Sequence, residues 1–519
     1  MTTEHRNLAE RKQKKIMFFK NALLLSCVNI VLRGLGVTFN AYINRKIGAE
    51  GMGLYTLVMS VYGFAVTLAL SCVNLGAMKL TSERCVQLTG TDKHSWQYGM
   101  RSLVLMLCLY GLLFGMFSAM LMYFSSYASA KYLLNDMRTL RPLRILSLSL
   151  PFISLSSAFS GFFTGLRKVS KNAISAITEQ FLKIVFISTG LYLVSGRDVA
   201  DMCLALVAGS TLTEILSFSV NLIMYLTDTK RPKGELYGKK QIRIKTKFTN
   251  VTSISFVAAI GTYARQGLTT LEHLAIPIGL KKSGLDERMA LASYGLLQGI
   301  AFPLVMFPYA VIGSFTSLLV PEIAEKCELG DSNGIKVLTS EVYRYSAIFS
   351  LGACGIFVLY GKSLGDMIYS STEAAVYTSV LGLLVPFMYL DTAVDSLLKG
   401  LGEQLYNMRV NIADAAAGLL LVMLLTPKMG IWGYICTVWL CEVGNLIASI
   451  SRLTKKTGVS IGNAFSQYVL PFAVTLISAA LKFTLLDHFV SSEAISILIY
   501  ALFYLVTVEI IEKRRRKEK

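Results

Sequence analysis

Fourteen apolar runs, each eighteen residues or longer, follow one another along this chain. They lie at 17–44, 52–80, 97–124, 140–166, 172–195, 200–226, 249–276, 290–321, 337–360, 375–400, 406–427, 431–451, 465–486 and 494–511. About 20 apolar residues in a helix cross the hydrocarbon of a bilayer, and a soluble core has no use for such a series. Charged residues make up only 16% of the 519, against roughly 25% in an ordinary soluble domain. The 54% apolar share is enough for roughly 14 crossings and leaves too little for a large soluble domain. Intrinsic disorder needs low hydrophobicity and is excluded. The expected fold class is an all-α polytopic membrane protein of about 14 transmembrane helices.

The net charge of +19, from 51 Lys and Arg against 32 Asp and Glu, would suggest nucleic acid in a soluble protein. Here its distribution explains it. With the N-terminus in the cytoplasm, inside segments carry 33 of the basic residues and outside segments 12, so both termini are expected inside. The basic start (Arg11, Lys12, Lys14, Lys15) before an apolar run resembles a signal peptide, but the run continues to about Tyr42, so an uncleaved first span is expected. Cys27, Cys72, Cys108, Cys203, Cys354, Cys436 and Cys441 lie in apolar runs and read as small buried hydrophobes rather than a disulfide framework.

An internal repeat organises the chain. At a constant offset of 235, residues 146–166 and 381–401 share Leu146/Leu381, Pro151/Pro386, Phe152/Phe387, Ala158/Ala393 and Gly165/Gly400. The same offset pairs Asn172 with Asn407 and Glu179 with Asp414. Span 4 thus falls on span 10, 5 on 11 and 6 on 12, and an even step makes the repeat parallel. The expected organisation is an N-terminal lobe at 1–226, a basic cytoplasmic linker at 227–248, a C-terminal lobe at 249–454, and two further helices with a basic cytoplasmic tail at 455–519. Two pseudo-symmetric six-helix lobes are a secondary-transporter pattern, with the substrate between the halves.

Ionisable groups deep in a span are costly and face a cavity or a partner. Span 1 carries Asn29, Arg33, Gly36, Asn40 and Asn44 at steps of four, three, four and four, which lines one helix face. Span 7 carries Thr262, Arg265, Thr269 and Glu272 in the same way. With Arg33 and Arg265 near mid-span, these residues are candidates for a central cationic cavity, and guanidinium forks suit phosphate. The other reading is that each arginine is locked in a structural pair or snorkels. Asp391, Asp395 and Lys399 line one face of span 10 and could bind a coupling Na⁺ or H⁺, or form an internal Asp395–Lys399 pair. Pro151, Pro303, Pro308 and Pro386 lie inside spans and are expected kinks. No metal-ligand spacing, nucleophile elbow or phosphate-binding loop is present, since GIFVLYGKS at 355–363 has the wrong spacing and context. An enzyme is therefore not expected, nor any cofactor apart from the coupling ion.

Residues 40–84 contain IGAEGMGLY at the first external turn and KLTSER ending span 2, with TGL and KGLGEQ ending spans 4 and 10. These strings resemble the stage V sporulation protein B group of polysaccharide exporters, in the multidrug/oligosaccharidyl-lipid/polysaccharide exporter superfamily. The resemblance runs over essentially the whole chain. It implies a flippase whose two lobes rock about a central cavity and carry an undecaprenyl-pyrophosphate-linked peptidoglycan or polysaccharide precursor outwards, for cell-wall or spore-cortex synthesis. The same fold also serves cation-coupled multidrug export. LRGLGVTFNAYINRKIGA (32–49) resembles the first helix of a related lipid II flippase, in which Arg33 matches a cavity arginine and Arg265 falls in the helix that supplies another. Phe39 stands where that relative has a further arginine, and Asn74 where the group often has proline. The implied location is the bacterial cytoplasmic membrane. The implied partners are the lipid-linked glycan, membrane lipids and cell-wall synthesis enzymes, without nucleic acid, and the implied state is a monomer.

Overall fold

Lipid offers the backbone no hydrogen bonds, so each spanning segment must satisfy its N–H and C=O groups internally. The computed structural model describes residues 3–70, 73–88, 93–227, 248–369, 372–459, 461–490 and 492–517, and no strand occurs among them. The helices are α1 (Thr3–Leu70), α2 (Val73–Gln87), α3 (Lys93–Ala128), α4 (Leu140–Ser147), α5 (Leu150–Gly165), α6 (Val169–Leu193), α7 (Val199–Leu226), α8 (Phe248–Lys282), α9 (Glu287–Tyr294) and α10 (Phe302–Met306). They continue as α11 (Tyr309–Glu328), α12 (Ser332–Tyr369), α13 (Thr372–Gly382), α14 (Val385–Gly400), α15 (Gln404–Met429), α16 (Ile431–Thr457), α17 (Ile461–Leu481), α18 (Asp487–Phe489) and α19 (Glu493–Lys517). Short π-helical stretches occur at Ser129–Leu133, Gly295–Ala301 and Lys482–Leu486.

Among the described residues ten helical stretches are long and apolar enough to cross a membrane, or twelve if each of two bent pairs is one crossing. The expected count was fourteen, and it differs at two places. Expected spans 1 and 2 fall in one stretch, Cys27–Cys85, of 59 residues. At about 1.5 Å per residue this is far longer than the roughly 30 Å of hydrocarbon. It is broken at Gly48, whose φ of 71° and ψ of 175° are non-helical. Expected span 7 lies in α8, where the side chains before Ala259 are outside the described set. The linker, 228–247, is likewise outside it. Of the cysteines expected to be buried, Cys203 is, Cys108, Cys354, Cys436 and Cys441 are half-buried, Cys27 is exposed, and Cys72 lies outside the described residues.

Packing divides the chain into two compact units. One comprises Met1–Leu32 and Leu54–Leu274, the other Arg33–Gly53 and Ala275–Lys519. In the first unit, α2, α3 and α5 share a core that includes Trp96, Met100, Leu103, Phe159, Phe162 and Phe163. Gly161 and Gly165, one turn apart, let α5 meet the α2 main chain. A Cβ at Gly161 would lie 2.5 Å from the Asn74 carbonyl, and one at Gly165 2.8 Å from that of Met78. Without a hydrophobic force between helices in lipid, such small-residue faces are what permit close packing. The outer face of α3 presents Leu105, Leu109, Leu113, Phe117 and Phe124. An apolar strip of that size suits acyl chains, not water.

In the second unit, α11, α12, α14 and α16 share a core around Ile323, Val342, Tyr343, Val394, Leu397 and Leu453. Residues 49–53 lie directly on α9 and the π-helical turn after it. A Cβ on Gly53 would collide with the Leu291 carbonyl, and one on Gly295 with the Gly53 main-chain N and the Ala49 carbonyl. The two bent pairs, Met137–Ser147 with Leu150–Gly165 and Thr372–Gly382 with Val385–Gly400, turn by 42° and 52°. Each bend precedes a proline, Pro151 or Pro386, at the first turn of the following helix. Proline has no N–H to donate four residues back, so the ladder opens at both places. The bends therefore fall at matching positions of the repeat.

Just after α14, Glu403 joins α16 through two cations. Arg452 donates from Nε (3.0 Å) and Nη2 (2.7 Å), and Lys456 contacts the other carboxylate oxygen. Lys456 first and Arg452 second hold the Glu403 carboxyl below the usual glutamate range.

Two predictions follow from this packing. Gly53→Ala should lower the thermal midpoint in detergent, by about 1–3 kcal/mol of overpacking, because the atom in the way is main chain. Gly76→Ala, with open space at its Cβ, should be neutral or stabilising by at most about 1 kcal/mol. The Glu403 clamp is stabilising above the unfolded glutamate value of about 4.3, and that contribution is lost as pH falls through the lower folded value. The gap in thermal midpoint between wild type and Glu403→Gln should therefore be constant near neutral pH and close below about pH 4.

Candidate functional site

A break between α10 and α11 sets the surroundings of Arg33. Pro308 cannot donate to the Leu304 carbonyl, which takes the Phe307 N–H instead at 3.2 Å. The Ala310 N–H turns to the Phe307 carbonyl at 3.3 Å, a three-residue step in place of the helical four. The Val305 and Met306 carbonyls then need other donors, because buried carbonyls are rarely left bare. The Tyr389 hydroxyl donates to Val305 at 2.8 Å, and Arg33 Nη1 to Met306 at 3.0 Å. The Arg33 guanidinium also lies 5.4 Å from the centre of the Tyr309 ring. Gly34 brings α1 close to the break: a Cβ there would stand 3.3 Å from the Phe307 ring.

The rest of the α1 stripe is graded in burial. Asn29 and Arg33 are exposed, Asn40 is half-buried and Asn44 is buried. Asn29 belongs to the first compact unit, whereas Arg33 and Asn40 belong to the second. Phe39 is buried and stacks on Tyr42 with ring centres 5.9 Å apart.

The α8 stripe lies in the first unit. Thr262 and Arg265 are exposed, and Thr269 and Glu272 are half-buried. Another face of α8 packs on the second limb of α1, with Thr270 donating to the Ser60 carbonyl at 3.2 Å and Gly267 beside Phe64. At 3.6 residues per turn the stripe is rotated about 150°, roughly two-fifths of a turn, from that face. Arg265 is the midpoint of α8 and has no acidic partner among the described residues.

Asp391 and Asp395 are tied to α16. The Asn445 side-chain amide donates to Asp391 Oδ2 at 3.0 Å, and Ser449 Oγ to Asp395 Oδ1 at 3.3 Å. Asp391 is only 8% exposed, and its Oδ1 and the Asn445 Oδ1 are buried without a hydrogen-bond partner. Two bare oxygens of this kind suit a proton or a small cation. In the first unit, Ser217 donates to Glu179 at 3.3 Å.

The sequence repeat also appears as a repeated bond. Asn172 donates to the Ser160 carbonyl at 3.2 Å, and Asn407 to the Asp395 carbonyl at 3.0 Å. Both donor and acceptor keep the offset of 235, and each bond ties the helix after a bent pair back to that pair. Sequence reasoning missed Tyr309, Tyr389, Asn445 and Ser449. The last two had a signal, two polar residues four apart on an apolar helix. The tyrosines had none, because one more aromatic residue in a span carries no information about its hydroxyl.

Comparison with known proteins agrees with this architecture. Residues 18–327 match the family described as polysaccharide biosynthesis protein. Stage V sporulation protein B of Bacillus subtilis (strain 168) is 25% identical over 494 residues, covering 93% of this chain and 92% of that protein. Sporulation protein YkvU of the same organism is 19% identical over 392 residues, covering 74% and 83%. Among solved structures, the lipid II flippase MurJ in an inward closed conformation superposes with a TM-score of 0.62 at 14% identity, covering 96% of this chain and 98% of that one. The multidrug transporter DinF-BH in complex with R6G gives 0.61 at 14% identity, covering 85% and 96%. These two likenesses are of fold.

The repeated asparagine bond makes a paired prediction. Asn172→Ala and Asn407→Ala should each destabilise the protein by about 1 kcal/mol. Thermal unfolding in detergent checks both, and an effect confined to one would show that the bonds are not equivalent.

Proposed function

We propose that this chain, a member of the polysaccharide biosynthesis protein family, is a flippase for a lipid-linked glycan carrying a pyrophosphate. Family membership makes it a multi-pass membrane transporter and not an enzyme. The finer reading is that an undecaprenyl-pyrophosphate-linked peptidoglycan or polysaccharide precursor passes from the cytoplasmic to the outer leaflet by alternating access, with both termini cytoplasmic. Likeness to two sporulation proteins supports a place in cell-wall or spore-cortex synthesis.

The observation that carries this reading is Arg265. An exposed guanidinium at the centre of a long membrane helix, with no acidic partner among the described residues, is expensive unless an anion comes to it. Its planar fork matches a phosphate. Arg33, in the other unit, carries the other candidate guanidinium, one of whose five N–H donors is used by the Met306 carbonyl. Asn29, Asn40, Thr262 and Thr269 supply neutral polar groups on the same stripes, suited to sugar hydroxyls. Asp391 and Asp395, with Asn445 and Ser449, are the place for a coupling H⁺ or Na⁺. Multidrug export is the second reading. The DinF-BH likeness supports its fold, while an uncompensated arginine disfavours cationic drugs.

Translocation of lipid II in proteoliposomes tests the proposal. Arg265→Gln should reduce the rate about 10- to 100-fold, the worth of a charged hydrogen bond of roughly 1.5–3 kcal/mol. Wild-type transport of rhodamine 6G without transport of lipid II, under imposed ion gradients, would replace the first reading by the second.

A further inference from the structure

We infer that the break between α10 and α11 is a latch held open by Arg33 and released when a phosphate takes that guanidinium. The inference rests on the phosphate-reading role proposed above and adds to it a conformational consequence.

Three carbonyls at the end of α10 are diverted from the helical ladder, each in a different way. Leu304 is diverted permanently, since Pro308 has no N–H to give it. Val305 takes the Tyr389 hydroxyl at 2.8 Å, in the place of its helical donor, the Tyr309 N–H. Tyr389 is thus inserted between a helical donor and its own acceptor, a recognised cause of kinking. It is fully buried, with its ring 5.9 Å from that of Tyr309 and 6.1 Å from that of Phe349. This insertion is a fixed wedge.

Met306 is diverted reversibly. Its ordinary donor, the Ala310 N–H, is held instead by the Phe307 carbonyl at 3.3 Å, a long bond. The group that keeps Met306 occupied is the side chain of Arg33, which is exposed despite its contacts. A phosphate offers that guanidinium two charged acceptors in a matching plane, whereas the Met306 carbonyl offers one neutral acceptor. Once Arg33 turns to phosphate, Met306 must find another donor, and the Ala310 N–H is one turn away. The exchange replaces a three-residue step by a four-residue step and winds the start of α11 back towards α-helix. Tyr309 is the positioning residue. Its ring lies under the guanidinium at 5.4 Å and is itself the first residue of α11, so cation and helix end are in contact.

Hydrogen–deuterium exchange of the full chain in nanodiscs tests the latch, with undecaprenyl pyrophosphate as the probe and its retention measured separately with labelled lipid. In wild type, the probe should slow exchange at Ala310 about tenfold, the worth of one ordinary hydrogen bond. Arg33→Leu should show the slow value without probe and no response to it. Arg33→Lys, which keeps one donor, should exchange as wild type does without probe and controls for folding. Tyr389→Phe, which removes the wedge's donor but not Arg33, should leave the Ala310 response intact. Unchanged exchange at Ala310 in Arg33→Leu would overturn the latch whatever the cargo. Retained probe with no change at Ala310 in wild type would overturn its link to phosphate. Absence of bound probe would sink the cargo reading and the ligand link together, and the Arg33→Leu comparison would still decide whether Arg33 holds the break open.

Discussion

A main-chain carbonyl inside a bilayer has to find its donor within the protein, and helix breaks are where that constraint becomes demanding. Proline removes donors at 151, 308 and 386. At the bends before Pro151 and Pro386 the chain tightens into three-residue steps, with Leu148 donating to Ile145 and Leu384 to Leu381. At 307–308 local turns do not suffice, and a tyrosine from α14 and an arginine from α1 complete the set. Arg33, one of the two arginines proposed to read an anion, is therefore also a structural donor. These two roles would compete for the same N–H groups, and the proposed latch turns on that competition.

The offset of 235 persists from sequence into chemistry. It relates the two prolines, the two bends and the asparagine bonds from 172 to 160 and from 407 to 395. What it does not relate is charge. Ser160 is matched by Asp395, and Ser156 by Asp391. A backbone device has been kept twice while one copy acquired carboxylates. The asymmetry separates what holds a bent helix from what could bind a cation.

Much of this was legible in the chain. Helical content followed from the length of the apolar runs, since lipid permits little else. The polar stripes on α1 and α8 followed from spacing alone. The prolines announced the bends. Other features lay beyond any local pattern. The Arg33 bond to Met306 joins residues 273 apart, and its acceptor is a main-chain atom with no side-chain signature. The Ser449 hydroxyl on Asp395 joins residues 54 apart, which no i, i+4 spacing could reveal. The division of the first apolar stretch was visible only as IGAEG, and its cause is the positive φ of Gly48.

The contact between Gly53 and Gly295 has a genetic consequence. Most packing defects can be suppressed by trimming the side chain on the opposite wall. Here the opposite wall is the main chain of Leu291, Ala49 and Gly53 itself, which has nothing to trim. A suppressor screen on Gly53→Ala should therefore return revertants, or insertions and deletions that slide α9 along its axis, in place of the usual large-to-small partners. That spectrum would distinguish a backbone contact from an ordinary side-chain cavity without any structural measurement.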